Sequence, residues 1–113
     1  MKLSEIVKKI ELDIRTASGL LDVDVTSGYA SDLMSDVMAN AHEGGLWITL
    51  QIHQNIVAVA VMKSLAGIIL VNNREPEEGT IRKAEAEGVP IMVSSLPAFE
   101  LAGRLFELGL SGS

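Results

Sequence analysis

Cysteine is missing from this chain altogether. That excludes disulfides, thiolate nucleophiles, Cys-based zinc sites and Cys-ligated iron–sulfur clusters, and it gives no hint of secretion. Aromatic residues are scarce: Tyr29, Trp47, Phe99 and Phe106 are the full set. The core must therefore be aliphatic, built from Val, Ile, Leu, Met and Ala. Positive charge is short as well, with nine Lys and Arg against fifteen Asp and Glu and a net charge of −6. A phosphate backbone is held through Lys and Arg with release of counterions. Without a basic cluster or an interleaved aromatic platform, nucleic acid is excluded as a partner, while the negative charge helps solubility. Long apolar runs are also absent. The longest, Ile56 to Met62, falls far below the ~20 residues of a transmembrane helix, so no membrane association is expected. Residues 1–9 are amphipathic and lack a continuous apolar stretch, so they do not read as a signal peptide. The expected location is the cytoplasm.

What remains is enough for one core. The 113 residues, 48% of them hydrophobic, fit a single domain over 1–110, with 111–113 expected to fray. A chain of this size buries roughly two-thirds of its unfolded surface. Ser4 reads as an N-cap before Ile6, Val7 and Ile10, giving a helix over 4–11. Residues 12–16 read as a short extended piece, and 18–19 as a turn. Val23, Val25 and Tyr29 lie in a strand expected over 23–30. Leu33, Val37 and Ala41 then recur at four-residue spacing, a short helix over 32–41 with Asp32 as its cap, stopped at Gly44-Gly45.

From there the pattern is strand and helix in alternation. Strands read over 46–50, 67–71 and 90–93. Between them lie a crossover over 54–66 and a charged helix over 77–87 that opens after Pro76 and stops at Gly88. A last helix runs from Pro97 to Leu108, with Gly109 as its C′ residue. The stretch 55–62 alternates branched residues with alanine and fits a strand equally well by pattern. The gap between the strands at 46–50 and 67–71 decides for a helix, because a parallel crossover needs one. Short, fully apolar strands in this alternation predict a layered α/β/α domain: a mostly parallel, mixed sheet covered on both faces, with an N-terminal edge strand. The crossover helix is apolar all round, which requires burial on every side. Two ways of covering it are open. One is a homodimer interface through Ile56, Val57, Val59, Ala60 and Met62; the other is burial by the chain's own helices.

In open parallel sheets, ligands bind outside the carboxyl ends of the strands. Those ends are polar here. The first delivers Thr49, Gln51, His53, Gln54 and Asn55; the second Asn72, Asn73 and Arg74; the third Ser94 and Ser95. With the N–H groups of the helix starts, they would form a cup suited to an anion or nucleotide. The same residue types are also the ordinary furniture of strand-to-helix loops. His53 is the sharpest single group, either an acid/base or ligand-contacting imidazole or a hydrogen-bonding partner of the crossover helix. His42 fits a helix C-terminus. Asp32 and Asp36, with Ser35 between them, could act as paired carboxylates or as cap and solvated residue. Asp32 and Ser35 join the candidate site if the segment 29–40 folds over the cup. The two histidines lack a ligand spacing, so no metal or cofactor is expected. The chain contains no phosphate-binding P-loop, dinucleotide fingerprint, nucleophile elbow or His-Glu-x-x-His, which argues against an enzyme.

Val25-Thr26-Ser27-Gly28-Tyr29-Ala30-Ser31-Asp32-Leu33-Met34-Ser35-Asp36-Val37-Met38-Ala39, followed by Trp47-Ile48-Thr49-Leu50-Gln51-Ile52-His53-Gln54-Asn55-Ile56, resembles the DRTGG domain family, in particular its short stand-alone members. The resemblance is most specific over 29–55 and extends over nearly the whole chain. It implies a fold similar to the N-terminal domain of HPr kinase/phosphorylase. Related domains lie beside phosphotransacetylase catalytic domains and between the CBS modules of some pyrophosphatases. There they are regulatory or dimerising units, sometimes close to a bound adenine nucleotide. Stand-alone members resemble accessory proteins of hydrogenase and redox gene sets. One departure is the turn Val71-Asn72-Asn73, where many relatives carry Thr-Gly-Gly; asparagine tolerates positive φ, so the turn is expected to survive. The family pattern carries no catalytic residues. The expected function is a non-catalytic regulatory or assembly module, homodimeric, sensing a small ligand such as an adenine nucleotide. The alternatives are an accessory, partner-binding protein of a hydrogenase or redox complex, or a small enzyme using His53.

Overall fold

Alternation decides the layering. The computed structural model describes residues 1–112, and in chain order its elements are α1 (Leu3–Lys9), β1 (Asp13–Ile14), β2 (Ser27–Ala30), α2 (Met34–Asn40), β3 (Gly45–Thr49), α3 (Asn55–Met62), β4 (Gly67–Leu70), α4 (Glu78–Glu87), β5 (Ile91–Val93) and α5 (Ala98–Glu107). The sheet order is β1-β5-β4-β3-β2. β2 to β5 pair in parallel, and β1 closes the β5 edge antiparallel. Successive side chains of a strand point to opposite faces. Leu46, Ile48, Ile69, Val71 and Met92 therefore pack on one side with Leu3 and Ile6 of α1 and Leu101 and Leu105 of α5. Trp47, Ile68, Leu70, Ile91 and Val93 pack on the other with α2, α3 and α4. Both faces are covered, so β3, β4 and β5 are buried along their whole length. The layered, mixed α/β fold read from the sequence is the one formed.

The crossover over 55–62 is a helix, and its all-apolar surface has an internal explanation. α3 lies between α2 and α4 on the sheet, so neighbours cover three of its sides. Ile56, Val57, Val59 and Ala60 are buried in the chain's own core. Of the expected self-association residues only Met62 reaches the surface, beside Val61. A dimer through the first four is therefore excluded.

Several boundaries differ for local reasons. α1 starts one residue earlier: Lys2 is its cap, with Glu5 accepting from the Lys2 N–H, and Ser4 sits inside the helix. The strand expected from 23 begins only at Ser27. Residues 23 and 25 are instead used by the N-terminus, where Leu3 N donates to the Val23 carbonyl and Val25 N to the Met1 carbonyl. α4 ends at Gly88 with φ +70°, a left-handed stop that suits glycine. The tail is tied down as far as Ser111, whose carbonyl accepts from Gly28 N on the open edge of β2. Ser113 lies outside the described residues.

Candidate functional site

The strands β2 to β5 follow one another in sequence order, so every crossover helix falls on the α2–α3–α4 side and the sheet has no reversal point. α5 supplies the missing asymmetry. After β5 it returns across the opposite face to pack on β2 and β3, which brings its first residue, Ala98, to the strand ends. A hollow of about 190 Å³ opens there. Ala30, Ile48, Leu50, Val71 and Ala98 give it an apolar lining; Ser31, Asp32, Thr49 and Asn72 form its polar part.

Asp32 holds this hollow in shape. It does not cap α2, whose N-cap is Leu33 without a side-chain bond. Its Oδ1 instead accepts from Thr49 Oγ1 at 2.8 Å and from Leu50 N at 2.7 Å. Gln51 Nε2 donates to the Asp32 carbonyl, and Gln51 N to Thr49 Oγ1. Trp47 Nε1 donates to the Ser31 carbonyl at 2.7 Å. The loop after β2 is thus fastened to the end of β3 by side chains from both. Asp32 Oδ2 and the Asn72 carboxamide take no part in these bonds, and both residues border the hollow.

The other expected residues divide sharply. Asn72 and Asn73 both have positive φ, 55° and 56°, in a turn closed by Arg74 N to the Val71 carbonyl. The turn does survive without glycine. It is pinned to the next loop, Asn72 N donating to Leu96 O and Asn73 N to Ser94 O. Ser94 is buried, and its hydroxyl accepts from Leu96 N; it braces that loop. His53 Nδ1 accepts from Asn55 N at 3.1 Å, a helix-start role. His53, Gln54 and Asn55 sit on the α3 side of the sheet and do not line the hollow, and neither does Ser35. Asp32 and Asp36 do not form a carboxylate pair. Sequence reasoning missed Ser31 and the apolar lining residues Ala30, Ile48, Leu50, Val71 and Ala98; the apolar ones carry no polar signal, and only the return of α5 brings Ala98 to the strand ends.

Asp36 is held by its own network. Tyr29 Oη donates to both carboxylate oxygens at 2.9 Å, and Asn40 Nδ2 to Oδ1 at 2.9 Å. The Ser31 hydroxyl, the Tyr29 phenol and the Asn40 amide keep its carboxyl below the usual carboxylate range. The bond to Asp36 raises the Tyr29 phenol. A lowered acid contributes stability above its unfolded pKa and loses it as the pH falls through the folded value. A raised phenol contributes below its unfolded pKa and loses it as the pH rises through the folded value. Tyr29→Phe should therefore destabilise most across the neutral range. The difference from wild type in urea midpoints should shrink below roughly pH 4 and above roughly pH 10; a difference that stays flat with pH would contradict this coupling.

The backbone as a whole has a counterpart among solved structures. It is similar to the crystal structure of the CBS and DRTGG domains of the regulatory region of Clostridium perfringens pyrophosphatase, complexed with its activator, diadenosine tetraphosphate. The TM-score is 0.70 at 11% sequence identity, over 92% of this chain. The two share a fold. This chain spans 45% of the length of that one. No family model matches the sequence. No curated protein matches it either. The resemblance read from residues 29–55 thus agrees with the architecture to which the structure leads independently. Among the described residues no helix is long and apolar enough to cross a membrane, and no His, Asp and Glu cluster could hold a metal ion.

Proposed function

We propose that this domain is a non-catalytic regulatory module that senses an adenine nucleotide, with the base seated in the hollow at the ends of β2, β3 and β4. The observation that supports this is the pairing of an apolar lining with one open carboxylate oxygen, Asp32 Oδ2, and one open carboxamide, Asn72. A planar base needs flat apolar contact, and the exocyclic amine of adenine is a donor that a carboxylate accepts. The lining holds no cation, so the phosphates of the nucleotide belong outside it; Arg74, two residues past Asn72, is the positive charge nearest in sequence. The likeness to a regulatory region solved with a diadenosine activator favours the same class of ligand. Of the strand-end groups, Thr49, Gln51, His53 and Ser94 are engaged in bracing loops, and His53 does not line the hollow, which fits a sensor better than an acid/base centre at His53.

Thermal unfolding with AMP, ATP and diadenosine tetraphosphate tests the reading, with inosine monophosphate as control because it carries an oxo group where adenine has its amine. At a hundredfold excess over Kd, a ligand should stabilise the fold by about 2.7 kcal/mol, and the inosine compound by much less. Ala98→Trp fills the hollow from an exposed position and should remove the shift while leaving the unliganded midpoint nearly unchanged. Failure of every adenine compound to raise the midpoint would sink the proposal.

A further inference from the structure

α1 and α5 share one face of the sheet, and a hollow of about 160 Å³ lies where the end of α1 meets α5 and the loop after β5. Ile10, Glu11, Ser95, Leu96 and Arg104 line it. It shares no lining residue with the hollow at the ends of β2, β3 and β4. Arg104 follows the buried Leu101 by three residues. It therefore leaves α5 only about 60° round from that side chain, on the flank that faces Ile10 and Glu11. Ile10 is buried and Leu96 half-buried, and these two supply the apolar part of the lining.

The polar groups there are opposite in kind and unspent. Among the described residues neither the Glu11 carboxylate nor the Arg104 guanidinium has an ion-pair partner, and the two do not pair with each other across the hollow. The Ser95 hydroxyl likewise makes no hydrogen bond among the described residues, although its neighbour Ser94 braces the loop. The position of Glu11 also works against the fold. Its φ is +53°, in the left-handed region where glycine is the favoured residue just past a helix end. It sets a carboxylate beside the C-terminus of α1, where the helix dipole favours a cation.

We propose that this hollow binds a small free α-amino acid as its zwitterion. The α-carboxylate meets Arg104, whose planar fork matches a carboxylate with two parallel hydrogen bonds, and the Ser95 hydroxyl is a third donor. The α-ammonium meets Glu11, and the negative end of α1 favours it further. A short apolar side chain rests on Ile10 and Leu96. Charge selects the zwitterion over simpler ions: a plain anion is repelled by Glu11 and a plain cation by Arg104. Volume sets the size. A cavity of roughly 150 Å³ takes up benzene, and alanine has as many heavy atoms as benzene.

Titration of the isotope-labelled full chain with L-alanine, L-serine and L-valine, followed through its amide NMR shifts, tests the proposal. Up to about 10 mM, well above a millimolar Kd, at least one of the three should move the amides of Glu11, Ser95 and Leu96 to saturation. Lactate carries a hydroxyl where alanine has its ammonium, and ethylamine lacks the carboxylate; each should bind on the order of tenfold more weakly. Glu11 and Arg104 are exposed, so Glu11→Gln and Arg104→Ala should weaken binding on the order of tenfold with little change in the urea midpoint. Glu11→Gly should abolish binding and raise that midpoint, because glycine suits the left-handed backbone. Ala98→Trp, which fills the other hollow, should leave the titration unchanged, so this result stands apart from the adenine reading. No saturating shift with any of the three amino acids, lactate binding as tightly as alanine, or undiminished binding by Arg104→Ala or Glu11→Gly would each overturn the proposal.

Discussion

Trp47→Ala is expected to lower the unfolding free energy by about 3–5 kcal/mol. Domains of this size hold only about 5–15 kcal/mol in total, so the variant should sit close to the edge of folding. Trp47 is fully buried at the centre of β3, flanked in the sheet by Tyr29 of β2 and Ile68 of β4. Its removal leaves the largest cavity a single substitution can make in this chain. It also strands the Ser31 carbonyl, which accepts the indole N–H. Trp47→Phe separates these effects: it keeps most of the ring packing, loses the hydrogen bond and should cost about 1–2 kcal/mol. Urea unfolding followed by circular dichroism is the right measurement, because the only tryptophan is gone. A loss below about 1 kcal/mol for the alanine variant would mean that the α2 layer collapses onto the sheet more readily than its packing indicates. Because Ser31 neighbours Asp32, the same change should weaken any adenine-dependent stabilisation.

The second large effect is expected at Thr16, a buried polar residue far from the hollow. Its hydroxyl donates to the Val89 carbonyl at 2.7 Å and accepts from Ile91 N at 2.8 Å. One hydroxyl thus satisfies two backbone groups at the start of β5, and Thr16 is only 2% exposed. Thr16→Val keeps the shape and orphans both groups, at about 1–3 kcal/mol each. The expected loss is about 2–4 kcal/mol in urea unfolding. Thr16→Ser keeps the hydroxyl and should cost much less. The neighbouring contacts hold the same segment from outside: Arg15 forks onto Glu75 at 2.7 and 2.8 Å, and Ala17 N donates to Glu85. With Arg15 beside it, the Glu75 carboxyl lies below its usual range. Hydrogen exchange should show β1 and the β5 edge opening together in Thr16→Val, with β3 and β4 still protected. Equal loss of protection across the sheet would place the effect elsewhere.

Local sequence pattern carried a great deal of this fold. The runs at 46–50, 67–71 and 90–93 are apolar without alternation, which only a sheet covered on both faces tolerates. The gap between the first two was long enough for a parallel crossover, which normally takes a helix. Gly88 and Asn72-Asn73 marked their left-handed positions by residue type. What misled was context. Val23 and Val25 have strand-like side chains, yet the first residues of the chain take their backbone groups. Asp32 has the character of a cap, but the end of β3 offered it two donors in place of a helix N-terminus. The apolar surface of α3 looked like an interface because sequence does not say which helices will lie on either side of it.

The amino-acid order by itself determined most of the strands and helices and that both sides of the sheet are covered, since these follow from apolar patterning over a few residues and from the spacing between runs. Only the tertiary structure decided that α3 lies between two neighbours, that α5 doubles back over β2 and β3, and that Ala30 and Ala98 become walls of a hollow. Those outcomes depend on contacts between residues dozens of positions apart, for which a short stretch of chain holds no local signal.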